Sequence, residues 1–136
     1  MKSIIETSKK DWNKLLEENN IKYKDLKKIF NSEEFKQQAG EVINIKNDFY
    51  FKGKSNVHGY GIFAKKYINN NDIIGIALSN TKEKYRTYIG RFTNHSSINN
   101  VAFKELKPGK VFAVSTKDIK SGEEILVNYR DHWGKW

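Results

Sequence analysis

The chain has 136 residues, 38% of them apolar and 13% aromatic, which is typical of one globular domain rather than a disordered segment. It contains no cysteine, so disulfides and thiolate zinc sites are excluded. The formal net charge is +9, from 25 basic and 16 acidic residues, and this balance favours an acidic partner, of which nucleic acid is the usual class.

Codon usage offers a second explanation of the positive charge. Lysines make up 22 of the basic residues, and Asn and Ile occur 15 times each. These three residues have A/T-rich codons, so an AT-rich bacterial, organelle-like or viral genome would also produce such a composition. Residues 1–12 offer only Ile4 and Ile5 before charges return. We therefore expect neither a signal peptide nor a membrane span, no membrane partner, and an intracellular, soluble protein of the cytoplasm or nucleus.

The first 40 residues have the periodicity of helices. Two apolar triplets follow the spacing i, i+3, i+4: Trp12, Leu15 and Leu16, and then Leu26, Ile29 and Phe30. Ser8 is a candidate N-cap of the first helix, residues 31–34 form a second candidate N-terminus, and Gly40 is a candidate stop. We predict two or three short amphipathic helices that either cap the following domain or add a docking face, and we favour the cap.

From residue 41 the pattern becomes one of short strands separated by turns. The predicted strands are residues 42–45, 48–52, 73–78, 101–106, 111–115 and 124–128. Pro108 and Gly109 lie between two of them and suit the central positions of a type II turn, which predicts a hairpin. Residues 41–136 hold 16 basic and nine acidic residues, so most of the positive charge belongs to this β-rich part.

One internal similarity joins KKYINNNDII (65–74) to TKDIKSGEEI (116–125). Each segment has an isoleucine, a polar stretch, a residue able to take a positive φ, an acidic residue and then a strand. The residues able to take a positive φ are Asn71 and Gly122. We interpret the pair as two β-arches, which concern the fold rather than the chemistry.

Three segments carry the candidate chemistry: HGYGIFA (58–64), GRFTNHSSINN (90–100) and GEEILVNY (122–129). The first is a glycine–aromatic–glycine turn before a strand. The second concentrates polar side chains, and the third ends in a tyrosine. In this order and spacing they resemble the SET-domain protein-lysine methyltransferase family, over roughly residues 48–133, in a minimal form without the cysteine-rich, zinc-binding tail.

The resemblance implies a mostly β (α+β) architecture, a SET-type fold of small sheets with a C-terminal pseudoknot, preceded by short N-terminal helices. Residues 1–40 would be the N-terminal helical segment and residues 41–136 the SET domain. The implied activity is methyl transfer from S-adenosyl-L-methionine to the side-chain amine of a protein lysine, with no metal.

The resemblance also assigns a donor site. Its residues are His58, Gly59, Tyr60, Arg91, Phe92, Asn94, His95 and Tyr129. The side chain of Asn94 would bond the amino-acid end of the donor, and the backbone at His95 would meet the adenine edge. Arg91 would pair with the donor's carboxylate. His95 is not expected to bind a metal, because no further ligand lies at suitable spacing.

Tyr129 matches the family's catalytic tyrosine. Methyl transfer to an amine is an in-line displacement, so the enzyme mostly positions and desolvates the reactants. A lysine ammonium must first lose its proton, which an apolar channel and a neighbouring sulfonium cation both favour by lowering its pKa. The Tyr129 hydroxyl would orient the neutral amine, and carbonyl oxygens would polarise around the departing methyl group.

Other interpretations of these residues stay open. The glycine–tyrosine–glycine segment could be only a hairpin turn, Asn94 and His95 could satisfy backbone groups where the chain crosses itself, and a tyrosine at a strand end is usually core filler. The alternative function is a catalytically inactive SET-like basic adaptor that binds nucleic acid or a protein partner. Donor binding without methyl transfer would favour that alternative.

The chain departs from the family pattern in several places. Ser97 and Asn99 replace a cysteine and a proline, and the insert between residues 78 and 90 is very short. Trp133 and Trp136 are candidate lid residues in place of the cysteine-rich tail. Since the chain is strongly basic and lacks the insert that recognises substrates in relatives, we expect a lysine in acidic surroundings on a folded protein as the substrate.

Overall fold

A computed structural model describes residues 4–19, 33, 37 and 40–131. The strands of this part are β1 (Glu41–Ile43), β2 (Tyr50–Lys54), β3 (Tyr60–Ala64), β4 (Ile73–Asn80), β5 (Lys84–Thr87), β6 (Asn94–His95), β7 (Val101–Lys107), β8 (Lys110–Ser115) and β9 (Glu124–Val127). The helices are α1 (Ile4–Glu18) and α2 (Tyr88–Phe92), and a 3-10 turn spans Tyr129–Asp131.

Two small sheets form the body of the protein. The first has the strand order β1-β5-β4-β8-β7, and the second has the order β2-β3-β9-β6. The pairs β1–β5 and β6–β9 are parallel, whereas the other pairs are antiparallel. Isoleucines and valines from both sheets make one shared core, in which Ile62, Ile89 and Ile125 are fully buried. The prediction of a mostly β, SET-type architecture is confirmed.

The β7–β8 hairpin is confirmed as well. Val101 pairs with Ser115 and Lys107 pairs with Lys110, and Gly109 has the positive φ of +75° that the third position of a type II turn requires. The sequence did not predict β5 or α2. Helix α2 is a single turn that begins after Thr87, whose hydroxyl accepts a hydrogen bond from the Gly90 amide at 3.3 Å. So short a helix leaves no periodic signal in the sequence.

The two similar segments at 65–74 and 116–125 meet in space. Ile68 and Ile119 form an antiparallel bridge in which each backbone amide donates to the other's carbonyl oxygen at 2.8 Å. Asn71 and Gly122 have φ angles of 69° and 87°, so the prediction of a positive φ in each arch is confirmed. Each arch connects a strand of one sheet to a strand of the other, and the bridge between the arches holds these two connections side by side.

The N-terminal prediction is confirmed in part and corrected in part. Helix α1 buries Trp12 and Leu15, as their spacing indicated, but it begins at Ile4. Ser8 therefore lies inside the helix and is not its N-cap. Of the later helical segment only Glu33 and Gln37 are described, both as helical, and the other predictions for residues 20–39 lie outside the described residues. No helix in the described part of the chain is long and apolar enough to cross a bilayer.

Candidate active site

The strand β6 lies where the three motif segments converge. Asn94 and His95 pair in parallel with Leu126 and Val127 of β9, and we call this pairing of β6 with the end of β9 the crossing. Tyr129 follows two residues beyond the pairing. The third segment is thus joined by backbone pairing to the second segment and, through β3 and β9, also to the first. The first and second segments are joined to each other through a side chain.

Asn94 makes that side-chain connection. Its amide nitrogen donates to the carbonyl oxygens of His58 and Tyr60 at 2.9 and 3.0 Å, on either side of Gly59. The same nitrogen lies 3.0 Å from Oε2 of Glu124. The Asn94 side chain is 5% exposed, so its amide hydrogens are committed to these acceptors rather than to water. The interpretation that Asn94 satisfies backbone groups is therefore correct, and it does not exclude a further contact through Oδ1.

Glu124 is a site residue that the sequence analysis did not single out. Its carboxylate accepts from the Ser55 hydroxyl at 2.8 and 2.9 Å as well as from Asn94. Burial raises the pKa of Glu124 above its ordinary value, while the hydrogen bonds from Asn94 and Ser55 act in the opposite direction. A Cβ on Gly61 would lie 2.5 Å from Oε2 of Glu124, so a larger residue at this position would displace that carboxylate. The acidic residues that recur in the two arches are Asp72 and Glu123, so the internal similarity did not indicate Glu124.

His95 is fully buried and contacts the end of the chain's described part. Its Nδ1 accepts a hydrogen bond from the Tyr129 amide at 3.0 Å, so a neutral ring carries its proton on Nε2. Nη1 of Arg130 lies 3.2 Å from Nε2. Burial, and then the charge of Arg130, lower the pKa of His95, because a charged ring would be desolvated and would lie beside another cation. A second proton, on Nδ1, would also displace the hydrogen bond from the Tyr129 amide. The His95 side chain therefore holds the crossing together in its neutral form.

The Tyr129 hydroxyl is fixed by the residue next to Phe92. It donates a hydrogen bond to the Thr93 carbonyl oxygen at 2.6 Å. Burial raises the pKa of the Tyr129 phenol well above its ordinary value, and the charge of Arg91 opposes this shift. The phenol is accordingly neutral at physiological pH, with its proton committed to Thr93 and its oxygen lone pairs available as acceptors.

Aromatic rings from two elements, β3 and α2, line the adjoining face. The ammonium of Lys52 lies 4.0 Å from the Phe92 ring centroid, 4.5 Å from that of Tyr60 and 5.3 Å from that of Tyr88. The Arg91 guanidinium lies 5.0 Å from the Phe92 centroid on α2. These rings present π-faces that attract cations, and the face they form already holds one alkylammonium group.

Helix α1 packs on the same crossing. Ser8 donates to the Ser96 hydroxyl at 2.8 Å, and Asp11 accepts from the backbone amide and hydroxyl of Ser97 at 2.9 and 2.6 Å. The Trp12 ring lies 4.7 Å from the His58 ring and 5.5 Å from the Tyr129 ring, measured between centroids. Residues of α1 therefore contact all three motif segments, a role that their helical periodicity did not indicate.

The structure brings together every residue of the predicted donor site. Asn94 joins His58, Gly59 and Tyr60 to β9, and Arg91 and Phe92 lie on α2 directly before the crossing. His95 and Tyr129 contact each other, with ring centroids 5.3 Å apart. The candidate lid residues Trp133 and Trp136 lie outside the described residues. Sequence reasoning missed Glu124 and the α1 residues that contact the crossing.

Comparisons with known proteins agree with this geometry. The SET domain family model matches residues 76–130. The structure is similar to that of a Plasmodium falciparum protein assigned as a histone methyltransferase, at 26% identity and a TM-score of 0.50, over 67% of this chain and 100% of that one. None of the curated proteins compared matches the sequence.

The fold is also similar to one chain of Polycomb Repressive Complex 2 from Chaetomium thermophilum. The form in an autoinhibited conformation, bound to S-adenosylmethionine, is 21% identical with a TM-score of 0.52. The match covers 66% of this chain and 16% of that chain, so it concerns a small part of the larger protein. A humanized mutant of the complex, bound to an inhibitor, gives the same values. From the family match over residues 76–130, the fold and the convergence of the three segments, we conclude that this chain resembles the SET-domain methyltransferases.

Proposed function

We propose that the protein transfers a methyl group from S-adenosyl-L-methionine to the side-chain amine of a protein lysine. The observation that carries the proposal is the part-buried Tyr129 hydroxyl, which the Thr93 carbonyl oxygen fixes at 2.6 Å beside the crossing of the three motif segments.

Tyr129 has the properties that orienting an amine requires. Its proton is donated to Thr93, so the phenol oxygen meets an approaching amine as an acceptor of an N–H hydrogen bond. Burial keeps the phenol neutral, which avoids a charge that would hold the amine as an ammonium ion. When bound, the donor supplies an electrophilic methyl group on a sulfonium sulfur. The protein's part is to place the amine and to exclude water.

The aromatic face supports a lysine as the acceptor. Phe92, Tyr60 and Tyr88 surround the ammonium of Lys52 at distances typical of cation–π contacts. The same kind of surface can attract the ammonium and pack against the aliphatic stem of a substrate lysine.

The residues around the crossing fit the donor. Gly59, with a φ of +48°, turns the backbone between two carbonyls that Asn94 holds, and Gly61 lets this turn approach Glu124 closely. Next to it, Nε1 of Trp12 is buried and has no hydrogen-bond partner among the described residues. A polar ligand bound here would supply that partner. We assign donor binding to the eight residues of the predicted site, with Arg91 and the Asn94 side chain toward the amino-acid end of the donor and the His95 backbone toward its adenine edge.

The proposed substrate is a folded protein that presents a lysine among acidic residues, because a chain with a net charge of +9 attracts acidic surfaces. The deciding experiment incubates the protein with methyl-labelled donor and a lysate from its native setting. Label on a protein lysine, lost in a Tyr129→Phe variant, supports the proposal. Donor binding with no label on any protein supports the alternative of a basic adaptor for nucleic acid or protein.

A further inference from the structure

Helix α1 is anchored along its whole length to the candidate active site. Ser8 bonds Ser96 near its start, Asp11 accepts two hydrogen bonds from Ser97, and Glu18 forms an ion pair with Arg130 at 2.9 Å near its end. Ser8, Asp11 and Glu18 are separated by three and seven residues, spacings that place them on one face of the helix. The anchored face points to the crossing of β6 with the end of β9.

Trp12 lies at the centre of that face and is 4% exposed. Its ring spans two of the motif segments, with His58 at 4.7 Å on one side and Tyr129 at 5.5 Å on another. Trp12 therefore contacts the residue that precedes the glycine–tyrosine–glycine turn and also the candidate catalytic tyrosine. No other residue of α1 makes ring contacts with both in the described part of the chain.

The indole nitrogen of Trp12 is left without an acceptor. Its N–H is buried and makes no hydrogen bond with any described residue. Buried tryptophan N–H groups usually have a partner, and a buried donor without one disfavours the fold. An exception placed against a candidate binding site indicates that the missing acceptor belongs to a ligand.

We infer that α1 forms one wall of the donor site, and that the Trp12 N–H donates a hydrogen bond to the bound donor. This inference rests on the proposed function, since it takes the ligand to be S-adenosyl-L-methionine. The donor's purine nitrogens, ribose hydroxyls and carboxylate are all acceptors, and the indole offers an apolar ring beside its N–H. The aromatic wall then comes from the N-terminal side of the chain, at Trp12.

The same contacts pose a specific alternative, in which α1 fills the site and must leave before the donor binds. The two arrangements make opposite predictions for donor affinity. A wall residue strengthens donor binding, so its loss weakens binding. A plug competes with the donor, so its loss strengthens binding.

The test is donor binding by the full chain, measured by calorimetry on the wild type, Trp12→Phe and Ser8→Ala. Trp12→Phe keeps an aromatic ring and removes the N–H, and we expect the dissociation constant to rise about tenfold. Ser8→Ala removes a hydrogen bond that anchors α1 and leaves the indole in place, so its affinity stays close to that of the wild type. A weakening of similar size in both variants would assign the effect to loosened packing and overturn the inference.

A second measurement needs no variant. The buried Trp12 indole N–H exchanges slowly with water, and its proton resonance moves downfield when a ligand acceptor completes the hydrogen bond. A resonance that stays in place at donor saturation overturns the inference, as does an unchanged or tighter dissociation constant in Trp12→Phe. In those cases the wild type still binds the donor and the proposed function stands. A wild type that does not bind the donor at all overturns both.

Discussion

The side-chain nitrogen of Asn94 lies 3.0 Å from Oε2 of Glu124, and this contact ties the glycine–tyrosine–glycine turn to the last strand. The nitrogen has two hydrogens and three acceptors within reach, since the carbonyl oxygens of His58 and Tyr60 also lie at 2.9 and 3.0 Å. Asn94 is therefore first a connection between three segments. The same side chain that would contact a ligand also holds these three segments in position.

We predict that Asn94→Ala lowers both stability and donor affinity. Two part-buried carbonyl oxygens lose the donor that Asn94 supplies and Glu124 loses one of its two donors, which costs about 1–3 kcal/mol in the free energy of unfolding. Donor affinity should fall by roughly one to two decades, because the turn is released and a polar contact is lost. Chemical denaturation measures the first effect and calorimetry the second.

Asn100→Ala is the matched control for this variant. Asn100 is 7% exposed and also bridges the crossing, donating to the Glu124 carbonyl oxygen at 2.9 Å and accepting from the Leu126 amide at 2.8 Å. Asn100 is not among the predicted donor-site residues. If both variants lose equal stability and equal donor affinity, Asn94 acts only through the fold.

Glu124→Gln should change how stability depends on pH. Burial raises the folded-state pKa of Glu124 above its ordinary 4.5, so the protonated carboxyl stabilises the fold below that pH. This contribution is lost as the pH rises through the raised pKa. Glutamine does not titrate, and it can still accept from Asn94 and donate to Ser55.

The measurement is the free energy of unfolding of both proteins, by urea denaturation from about pH 4 to about pH 7. The wild-type value minus the Glu124→Gln value should decrease as the pH rises. A difference that instead grows with pH would mean that the hydrogen bonds from Asn94 and Ser55 outweigh burial, and that the folded pKa lies below the ordinary value.

Local patterns predicted those features of the fold whose causes are themselves local. The hairpin at Pro108 and Gly109 and the positive φ at Asn71 and Gly122 follow from turn chemistry within a few residues. The order of the three motif segments predicted which residues belong to the donor site, and the fold brings these segments together. By contrast, Ser8 pairs with Ser96 across 88 residues of sequence, and neither residue type indicates the other.

The role of α1 could not be predicted either, because it also depends on contacts between residues far apart in the sequence. The spacing of Trp12 and Leu15 predicts a buried helix face but does not say which surface covers it. Helix α2 was missed because a single turn has no period, and Glu124 because a carboxylate at a strand start is usually exposed. Tertiary contacts settle each of these, and a single sequence does not contain them.

Tyr129→Phe should fold, bind the donor with nearly unchanged affinity and lose most methyl transfer. The variant removes only the hydroxyl that Thr93 fixes, and one positioned hydrogen bond at a reacting centre is worth roughly two to three decades in rate. The Thr93 carbonyl loses its donor, so stability should also fall by about 1–2 kcal/mol. Rates are measured at donor saturation on a lysine-containing protein.

Tyr50→Phe is the control for the loss of a buried hydroxyl. Tyr50 is 4% exposed in the same core, and its hydroxyl lies near Thr87 and the Ile89 backbone rather than at the crossing. We expect a comparable loss of stability with little change in rate. Should Tyr129→Phe turn over like the wild type, Tyr129 would be a core residue and the proposed mechanism would be wrong.

The last prediction concerns substrate charge. A chain at +9 repels a free basic peptide and attracts an acidic one, and both effects act on the rate of encounter. At ~0.15 M salt the field is screened beyond about 8 Å, whereas at low salt it reaches further. A peptide with a lysine flanked by acidic residues should therefore be methylated in preference to a basic tail peptide when the two compete, and the preference should grow as salt is lowered. The competition is run at two salt concentrations, with a neutral-flanked lysine peptide as the reference. A preference for the basic tail that strengthens at low salt would show that local contacts at the aromatic face, and not the overall charge, select the substrate.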